Sequence, residues 1–223
     1  MLRAAGERQF SDRHDAGERL ARALTEKDLD DPVVLALPRG GVPVAFEIAR
    51  SLDAPLDVFV ARKIGAPGHR EYGIGAIAEG DVVVFDSWAV QALRLTAEHL
   101  DELRENELVE LQRRVRQYRG DRALPSIAHR DVVLVDDGLA TGVTAEAAVR
   151  ALRTMNPRRV MLAVPACAPE SRDRLAELAD EVVCLMAPAE FRAVGQWYER
   201  FDQTTDEQVA DLLAARREEA GPR

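Results

Sequence analysis

The sequence contains little cysteine and histidine, with two cysteines and four histidines among 223 residues. The two cysteines, Cys167 and Cys184, do not form a recognisable motif, and the histidines are scattered along the chain. This pattern indicates neither a disulfide framework nor a cluster of zinc ligands. It suits a reducing compartment, so we expect a cytoplasmic protein.

Long apolar runs and a surplus of basic residues are also missing. No apolar stretch approaches the ~20 residues that span a bilayer, and the first residues lack the apolar segment of a signal peptide. The formal net charge is −9, whereas a protein that binds a nucleic-acid backbone needs an excess of Lys and Arg. We therefore expect neither a membrane nor a nucleic acid as partner.

The overall composition is that of a globular protein, 47% hydrophobic and 31% charged. A chain of 223 residues is long enough to bury a substantial core. We expect a single domain over residues 1–223, with a core at about 30–190, an inserted helix at about 88–119 and a C-terminal tail at about 190–223.

Short β-rich runs alternate with helical patterns along the core. "PVVLALPRGGVPVAFEIARSL" predicts a strand, a turn and a helix, and "DVVLVDDGLATGVT" predicts the next strand, followed by a helix at 145–155. "RRVMLAVPACAP" and "DEVVCLMAP" predict two more strands around a helix at 170–179. This alternation predicts an α/β fold, a mostly parallel twisted sheet with helices on both faces. Ligands of such sheets bind at the carboxyl ends of the strands.

Two segments in the middle of the chain do not follow this alternation. We expect a strand to Ala61, a Gly/Pro-rich loop that is mobile at 64–73, and a hairpin that turns at 79–81. Residues 88–119 lack Gly and Pro, which predicts one long helix that stops at Gly120. Its apolar stripe must pack against its own sheet or against a second copy of the chain, so a homodimer is an open alternative.

Helix caps are also readable near the two ends of the chain. Asp12 or Asp15 is expected to cap an opening helix. Thr205 and Gln208 have the spacing of a capping box, which predicts a helix in the C-terminal tail.

The stretch at 131–144 contains the residues best suited to binding a ligand. Four residues typical of a buried strand place Asp136 and Asp137 at its carboxyl end, where ligands bind. Gly138 and Gly142 allow tight turns in the loop that follows, and its threonines offer hydroxyls beside free N–H groups at a helix start. Such a loop suits an anion, most simply a single phosphate.

A ligand that suits both halves has a phosphate at one end and vicinal hydroxyls nearby, because ionised carboxylates accept hydrogen bonds and hydroxyls donate them. Ribose 5-phosphate has this shape. The loop is not a Walker A motif, since Val143 stands where that motif has Lys. Two alternatives stay open on the pattern alone: an acidic turn without a ligand, and a receiver-type domain that holds Mg²⁺ on its acidic cluster.

The segment "VVLVDDGLATGVT" resembles the 13-residue phosphoribosyl pyrophosphate (PRPP) motif of type I phosphoribosyltransferases. "LPRGGVPVA" is similar to the pyrophosphate loop of that family, and "ARKIGAPG" stands where the family's catalytic flexible loop begins. The resemblance implies the family's fold: the parallel sheet, a flexible-loop hairpin, a long inserted helix and a small hood built from the chain ends.

The resemblance also implies roles for individual residues. Asp136 and Asp137 would hold the ribose hydroxyls, and the 5-phosphate would bind the loop made of Gly138, Leu139, Ala140, Thr141, Gly142, Val143 and Thr144. Pyrophosphate would bind Arg39, Gly40, Gly41, Arg62 and Lys63. Arg39 and Lys63 would join the two aspartates in catalysis. His69, Arg70 and Glu71 would lie near the pyrophosphate, and Trp197 or Tyr198 would stack on a base unless both pack in the core.

The function implied is transfer of the 5-phosphoribosyl group of PRPP to a nitrogen nucleophile, with release of pyrophosphate. Mg²⁺ would be bound mainly through PRPP, with Asp136 or Asp137 reaching it through water, and without a dedicated protein cage. Ala140 replaces the Asp of hypoxanthine-guanine enzymes, so the small-molecule acceptor stays open, with adenine and uracil enzymes more similar at this loop. The alternative is a regulatory protein that binds PRPP or a nucleotide without turnover.

Overall fold

The computed structural model describes residues 9–221, apart from the side chains of residues 70 and 71. The strands are β1 Val33–Ala36, β2 Leu56–Val58, β3 Ala61–Ala66, β4 His69–Ala78, β5 Val82–Phe85, β6 Asp131–Val135, β7 Arg159–Ala166 and β8 Glu181–Met186. The helices are α1 Arg13–Thr25, α2 Gly41–Ser51, α3 Ser87–Ala92, α4 Ala97–Arg119, α5 Val143–Arg153, α6 Pro169–Ala176 and α7 Asp206–Ala220, with a short 3₁₀ helix at Val194–Trp197.

The main sheet has five parallel strands in the order β2-β1-β6-β7-β8. Strands β1 and β6 lie side by side, with Val33 opposite Val132 and Ala36 opposite Val135. Every residue of both strands is buried, which is expected when helices cover both faces of a parallel sheet. The predicted α/β class is therefore confirmed.

Alternate residues of these strands face two different cores. Val34 and Val133 belong to the cluster formed with α1, α2 and α7. Val33 and Leu134 belong to the cluster formed with α5 and α6. Because both faces are filled, the exposed edge that remains for ligands is the carboxyl end of the strands. None of the described helices is long and apolar enough to cross a bilayer.

The segment after β2 differs from its prediction. The strand expected to reach Ala61 is two strands, since β2 ends at Val58 and β3 begins at Ala61 in a separate antiparallel sheet of order β3-β4-β5. Residues 64–73, expected as an irregular loop, belong to a hairpin of β3 and β4 with register shifts at Gly65. The turn at 79–81 is confirmed.

The glycines of this hairpin explain why the sequence suggested a loop. A Cβ on Gly75 would lie 2.4 Å from the Val84 carbonyl oxygen, and one on Gly73 would lie 2.7 Å from Cδ of Lys63. Both glycines thus permit a close approach between neighbouring strands and side chains, a role that glycine also fills in strands.

The helix expected over 88–119 is also divided in two. Arg94 adopts a positive φ of 51° after α3, and Thr96 then starts α4 with a capping box completed by His99. The predicted end at Gly120 is confirmed, with φ at 62°. The apolar stripe of α4 packs on the chain's own core through residues that include Leu108, Leu111 and Val115.

The chain ends form a hood over the end of the main sheet. The Phe10 N–H donates to the Trp197 carbonyl at 2.8 Å, and the Glu199 N–H donates to the Phe10 carbonyl at the same distance. Asp12 caps α1 by accepting from the Asp15 N–H. The capping box of Thr205 and Gln208 starts α7 as predicted.

Candidate functional site

Two loops meet at the carboxyl edge of the sheet because they follow the neighbouring strands β1 and β6. The Leu37 N–H donates to the Val135 carbonyl at 2.8 Å, which ties the start of one loop to the end of the other strand. A Cβ on Gly41 would lie 2.7 Å from that carbonyl oxygen, and one on Gly40 would lie 1.9 Å from Oδ2 of Asp137. Glycine is therefore required at position 41, where the backbone is in the way, and at position 40 it leaves room for the Asp137 carboxylate. The Pro38–Arg39 peptide in this loop is cis.

The loop after the acidic pair contains a run of backbone N–H groups without a protein acceptor among residues 9–221. Gly142, with φ at 66°, is the N-cap of α5, so the positive end of the helix dipole faces this loop. Within the described part of the chain, the N–H groups of residues 140–144 donate to no protein acceptor. Ala140 and Thr141 are exposed, Val143 and Thr144 are half-buried, and Gly142 is buried. The exposed and half-buried residues of this loop are therefore the ones that an anion can approach.

The carbonyl side of the same loop is tied to the segment after β7. The Leu139 N–H donates to Ala166 at 2.9 Å, the Ser171 hydroxyl donates to the Ala140 carbonyl at 2.6 Å, and Arg174 donates to the Thr141 carbonyl. Sequence reasoning missed Ser171 and Arg174 as positioning residues. Leu139 is buried, so it holds the loop in place by its side chain and its N–H.

The two aspartates form an interacting pair. The Asp137 N–H donates to Oδ1 of Asp136 at 2.9 Å. Burial, and then the charge of the neighbouring Asp137, raise the pKa of Asp136 well above its usual value. Burial also raises the pKa of Asp137, although Arg13 acts in the opposite direction. Ionising both carboxyl groups therefore costs free energy in the free protein, and a bound cation or a set of hydroxyl donors would lower that cost.

Arg13 is a further residue of this site that sequence reasoning missed. Its Nε and Nη2 lie 2.8 and 2.7 Å from Oδ2 of Asp137, and its Nη1 donates to the Asp202 carbonyl at 2.6 Å. The guanidinium stacks on Phe201, 3.9 Å from the ring centroid. No motif connects Arg13 to an aspartate that is 124 positions away. Any ligand of Asp137 must share that carboxylate with Arg13 or displace it.

Replacing Arg13 by Ala is expected to destabilise the protein by about 2 kcal/mol or more at neutral pH, because a largely buried carboxylate loses its ionic partner. The pKa of Asp137 should rise further. The loss should therefore shrink as the pH falls and Asp137 takes up a proton in both states. Urea unfolding across pH measures this effect.

The matched control for this experiment is Arg22→Ala in the same helix. The Arg22 side chain is 77% exposed and lies 3.9 Å from Glu18, so its removal should change the free energy of unfolding by no more than about 0.5 kcal/mol. Equal losses for the two variants at every pH would contradict the proposed role of Arg13.

The basic residues predicted to bind pyrophosphate do not all point toward the acidic pair. Nη1 of Arg39 lies 3.9 Å from Oδ1 of Asp206, at the start of α7. Nε of Arg62 donates to Glu107 on α4 at 2.7 Å. The Lys63 side chain passes over Gly73 in the hairpin. Their predicted roles stay predictions, and that of Arg62 requires the ion pair with α4 to open.

The remaining residues of the predicted site lie at its periphery. Trp197 and Tyr198 are buried; Trp197 stacks on Phe191, and Tyr198 packs between Phe10 and Phe201. The structure thus shows the packing alternative for both rings, and the Tyr198 hydroxyl donates to the Asp137 carbonyl at 2.6 Å. His69 lies at the hairpin tip, whereas the side chains of residues 70 and 71 lie outside the described part of the structure.

A second group of potential metal ligands lies between α1 and α2. Nδ1 of His14 is 2.8 Å from Glu47, whereas Nε2 of the same ring is 3.5 Å from Glu18. The two carboxylates therefore face different nitrogens of one imidazole. One nitrogen of His14 and one oxygen of each carboxylate nevertheless lie within 4.8 Å of one another, a spacing that suits a shared metal ion.

Comparison with known proteins identifies the family of the chain. The family model of the phosphoribosyl transferase domain matches residues 9–196. A protein of Mycobacterium tuberculosis, provisionally named as a phosphoribosyl transferase, is 48% identical over 204 residues, which is 92% of this chain and 46% of that protein. This chain thus spans about half the length of the curated relatives it matches.

A solved structure shows the same fold. The protein TT1426 from Thermus thermophilus has a TM-score of 0.80 and 44% sequence identity, and the match covers 93% of this chain and 98% of that one. The family model matches most of the chain, and the similarity to this structure supports the same family assignment. The chain belongs to the phosphoribosyl transferase domain family.

Proposed function

We propose that this chain binds PRPP and transfers its 5-phosphoribosyl group to a nitrogen nucleophile, with release of pyrophosphate. One observation carries the proposal. The glycine loop after β1, the acidic pair after β6 and the N–H groups of residues 140–144 meet at one edge of the sheet. They offer donors for two anionic groups and acceptors for a diol between them.

Each part of PRPP finds groups of suitable chemistry in this arrangement. The 5-phosphate would accept hydrogen bonds from the N–H groups of residues 140–144 at the positive end of α5. The ribose hydroxyls would donate to Asp136 and Asp137. The pyrophosphate would lie against the Gly40–Gly41 backbone, which contacts the acidic pair. The glycine loop follows β1, and both the acidic pair and residues 140–144 follow the neighbouring strand β6, so one ligand would reach all three sets of groups.

The residues fit a magnesium ion. Asp136 and Asp137 supply carboxylate oxygens, the ligand type that Mg²⁺ prefers, and the raised pKa of Asp136 marks a place where positive charge is favoured. When bound, the ion would neutralise charge on the pyrophosphate oxygens. PRPP oxygens and water would complete its ligands, so no dedicated cage is needed.

In the reaction, the bond between C1 of the ribose and the pyrophosphate oxygen breaks, and the bonding electrons leave with pyrophosphate. The lone pair of the acceptor nitrogen forms the new C1–N bond, and the proton carried by the acceptor is released to solvent. The acidic pair would hold the ribose in position while positive charge develops at C1. Arg39 and Lys63 would stabilise the negative charge that develops on the leaving group.

The acceptor is not identified by the site. Ala140 lies where hypoxanthine-guanine enzymes carry Asp, and its side chain offers no hydrogen bond to a 6-oxopurine. The hood aromatics Trp197 and Tyr198 are packed against other rings. We therefore propose a nitrogen nucleophile other than a 6-oxopurine, with adenine and uracil as the first compounds to test.

The proposal is tested by calorimetry with PRPP, with and without Mg²⁺, followed by assays of pyrophosphate release with adenine, uracil, hypoxanthine, guanine and orotate. We expect PRPP to bind more tightly with Mg²⁺, and pyrophosphate to be released with one acceptor. Tight binding without release would favour the regulatory alternative. Absence of PRPP binding would contradict both.

A further inference from the structure

The outward face of α4 carries an ordered charge pattern that the proposed function does not use. Acidic residues occupy its N-terminal half and basic residues its C-terminal half; the exposed ones are Glu98, Asp101, Glu102, Glu105, Arg113 and Arg116. Val109 lies between the two halves and is 68% exposed. A single exposed apolar residue is common on protein surfaces, so it is the ordered charge pattern around Val109 that marks this face as a candidate contact surface.

These residues form one stripe. At 3.6 residues per turn, the side chains of Glu98, Glu102, Glu105, Arg113 and Arg116 project within about 40° of Val109. The opposite side of the helix is already buried in the chain's own core, through Leu111 and Tyr118. Arg104, the cation within the acidic half, pairs with Asp81 at the end of the hairpin. Arg113 pairs with Glu110 of its own helix, so a contact with a second copy requires Arg113 to share or exchange that partner.

The stripe is complementary to itself when the helix direction is reversed. Glu105 and Arg113 are each four residues from Val109, about 6 Å along the axis, and Glu102 and Arg116 are each seven residues away, about 10 Å. A two-fold axis through Val109 would therefore place Glu105 opposite Arg113 of a second copy, and Glu102 opposite Arg116 of that copy. Each pair occurs twice, as a symmetric interface requires.

We infer that this face of α4 is a self-association surface, on which two copies of the chain pair their α4 helices antiparallel around Val109. The inference does not depend on the proposed function. An interface formed by one helix from each copy buries less surface area than most specific interfaces. We therefore expect a dimer whose population depends on concentration and falls as salt is added.

The interface would also affect the part of the molecule that carries Arg62. The Arg62 guanidinium pairs with Glu107 and Glu110 on α4, and Arg104 pairs with Asp81 beside β5. A partner helix packed against α4 would restrict the motion of α4, and through these ion pairs also the motion of the hairpin. The contact would not cover the acidic pair, because α4 packs against the main sheet at the edge strand β2, whereas the acidic pair follows the inner strand β6.

Sedimentation equilibrium of the full chain tests this inference by charge exchange. Glu105→Arg should weaken the dimer about tenfold, because both symmetry-related pairs become repulsive, and Arg113→Glu should do the same. An equimolar mixture of the two variants should recover the wild-type dissociation constant as a heterodimer. The double variant E105R/R113E should recover it as a homodimer.

Glu177→Arg is the matched control, since it reverses an exposed acidic residue beyond α6, away from this surface. It should leave the dissociation constant unchanged, and circular dichroism should show that all variants are folded. A wild-type chain that stays monomeric at its highest soluble concentration overturns the inference. A dimer whose dissociation constant is unchanged by the single charge reversals also overturns it. So does a dissociation constant that stays weakened in the equimolar mixture of the two variants.

Discussion

Replacing Asp136 by Asn is expected to weaken PRPP binding about 10- to 100-fold, while making the free protein more stable at neutral pH. The loss of affinity follows from removing an ionised acceptor, whose hydrogen bonds contribute roughly 1.5–3 kcal/mol. Asn retains an oxygen that can accept from the Asp137 N–H, as Oδ1 of Asp136 does. The substitution therefore changes charge more than shape.

The gain in stability follows from the sign of the pKa shift. The pKa of Asp136 is raised in the folded protein by burial and by the charge of Asp137, so the folded state binds more protons than the unfolded state above the usual carboxyl pKa. The stability contributed by this group falls as the pH rises from the usual carboxyl pKa of the unfolded state to the raised pKa of the folded state. Asn removes the penalty, and the advantage of the variant should disappear at low pH.

Asp131 at the opposite end of the same strand supplies the control. Despite burial, its pKa is lowered by Arg159, the Asp30 N–H and Arg158. Its stabilising effect is present above the usual carboxyl pKa and is lost as the pH falls. Asp131→Asn should therefore destabilise the protein at neutral pH without a direct effect on PRPP binding. If Asp136→Asn also destabilised the protein, or bound PRPP like wild type, the assignment of Asp136 would be wrong.

Replacing Arg119 by Met should produce the largest loss of stability, about 3–5 kcal/mol, since one partner leaves a buried ionic cluster. Nη1 of Arg119 lies 2.7 Å from Glu79, Nη2 donates to the Val58 carbonyl at 2.6 Å, and Nε is 3.5 Å from Asp57. Removal of the guanidinium would leave two buried carboxylates without this cation. The change is measured as the free energy of unfolding in urea.

This cluster also fixes the point at which the chain leaves the main sheet. Glu79 accepts from the Val60 N–H at 2.7 Å, between β2 and the hairpin that carries Arg62 and Lys63. Arg119→Met combined with Glu79→Gln should recover part of the stability, because Gln keeps an acceptor for that N–H. Arg104→Met, which removes a partly exposed pair with Asp81, should cost at most about 1 kcal/mol. Similar losses for Arg119→Met and Arg104→Met would contradict the buried cluster.

The sequence predicted the parts of the fold whose signals are local. The run of β-forming residues before Asp136 predicted β6, and Thr205 with Gln208 predicted the start of α7. The same local signals brought the acidic pair and the Gly40–Gly41 loop to one edge, because parallel strands end on the same side of a sheet.

The errors arose where tertiary contacts decide the local structure. Gly73 suggested a loop, but it lets the Lys63 side chain pass closely over a strand of a hairpin. The break in the long helix occurs at Arg94, a residue that rarely adopts a positive φ. Arg13 could not be found from the pattern, because its partners Asp137 and Asp202 are far away in sequence.

The central claim is that the acidic pair and the N–H groups of residues 140–144 hold opposite ends of one sugar phosphate. The most direct test follows backbone amide signals by NMR during a titration with ribose 5-phosphate. We predict that the signals of residues 136–137 and 140–144 shift together along one binding curve in the wild-type protein. Two separate affinities for the two groups, or a shift confined to one of them, would contradict the claim.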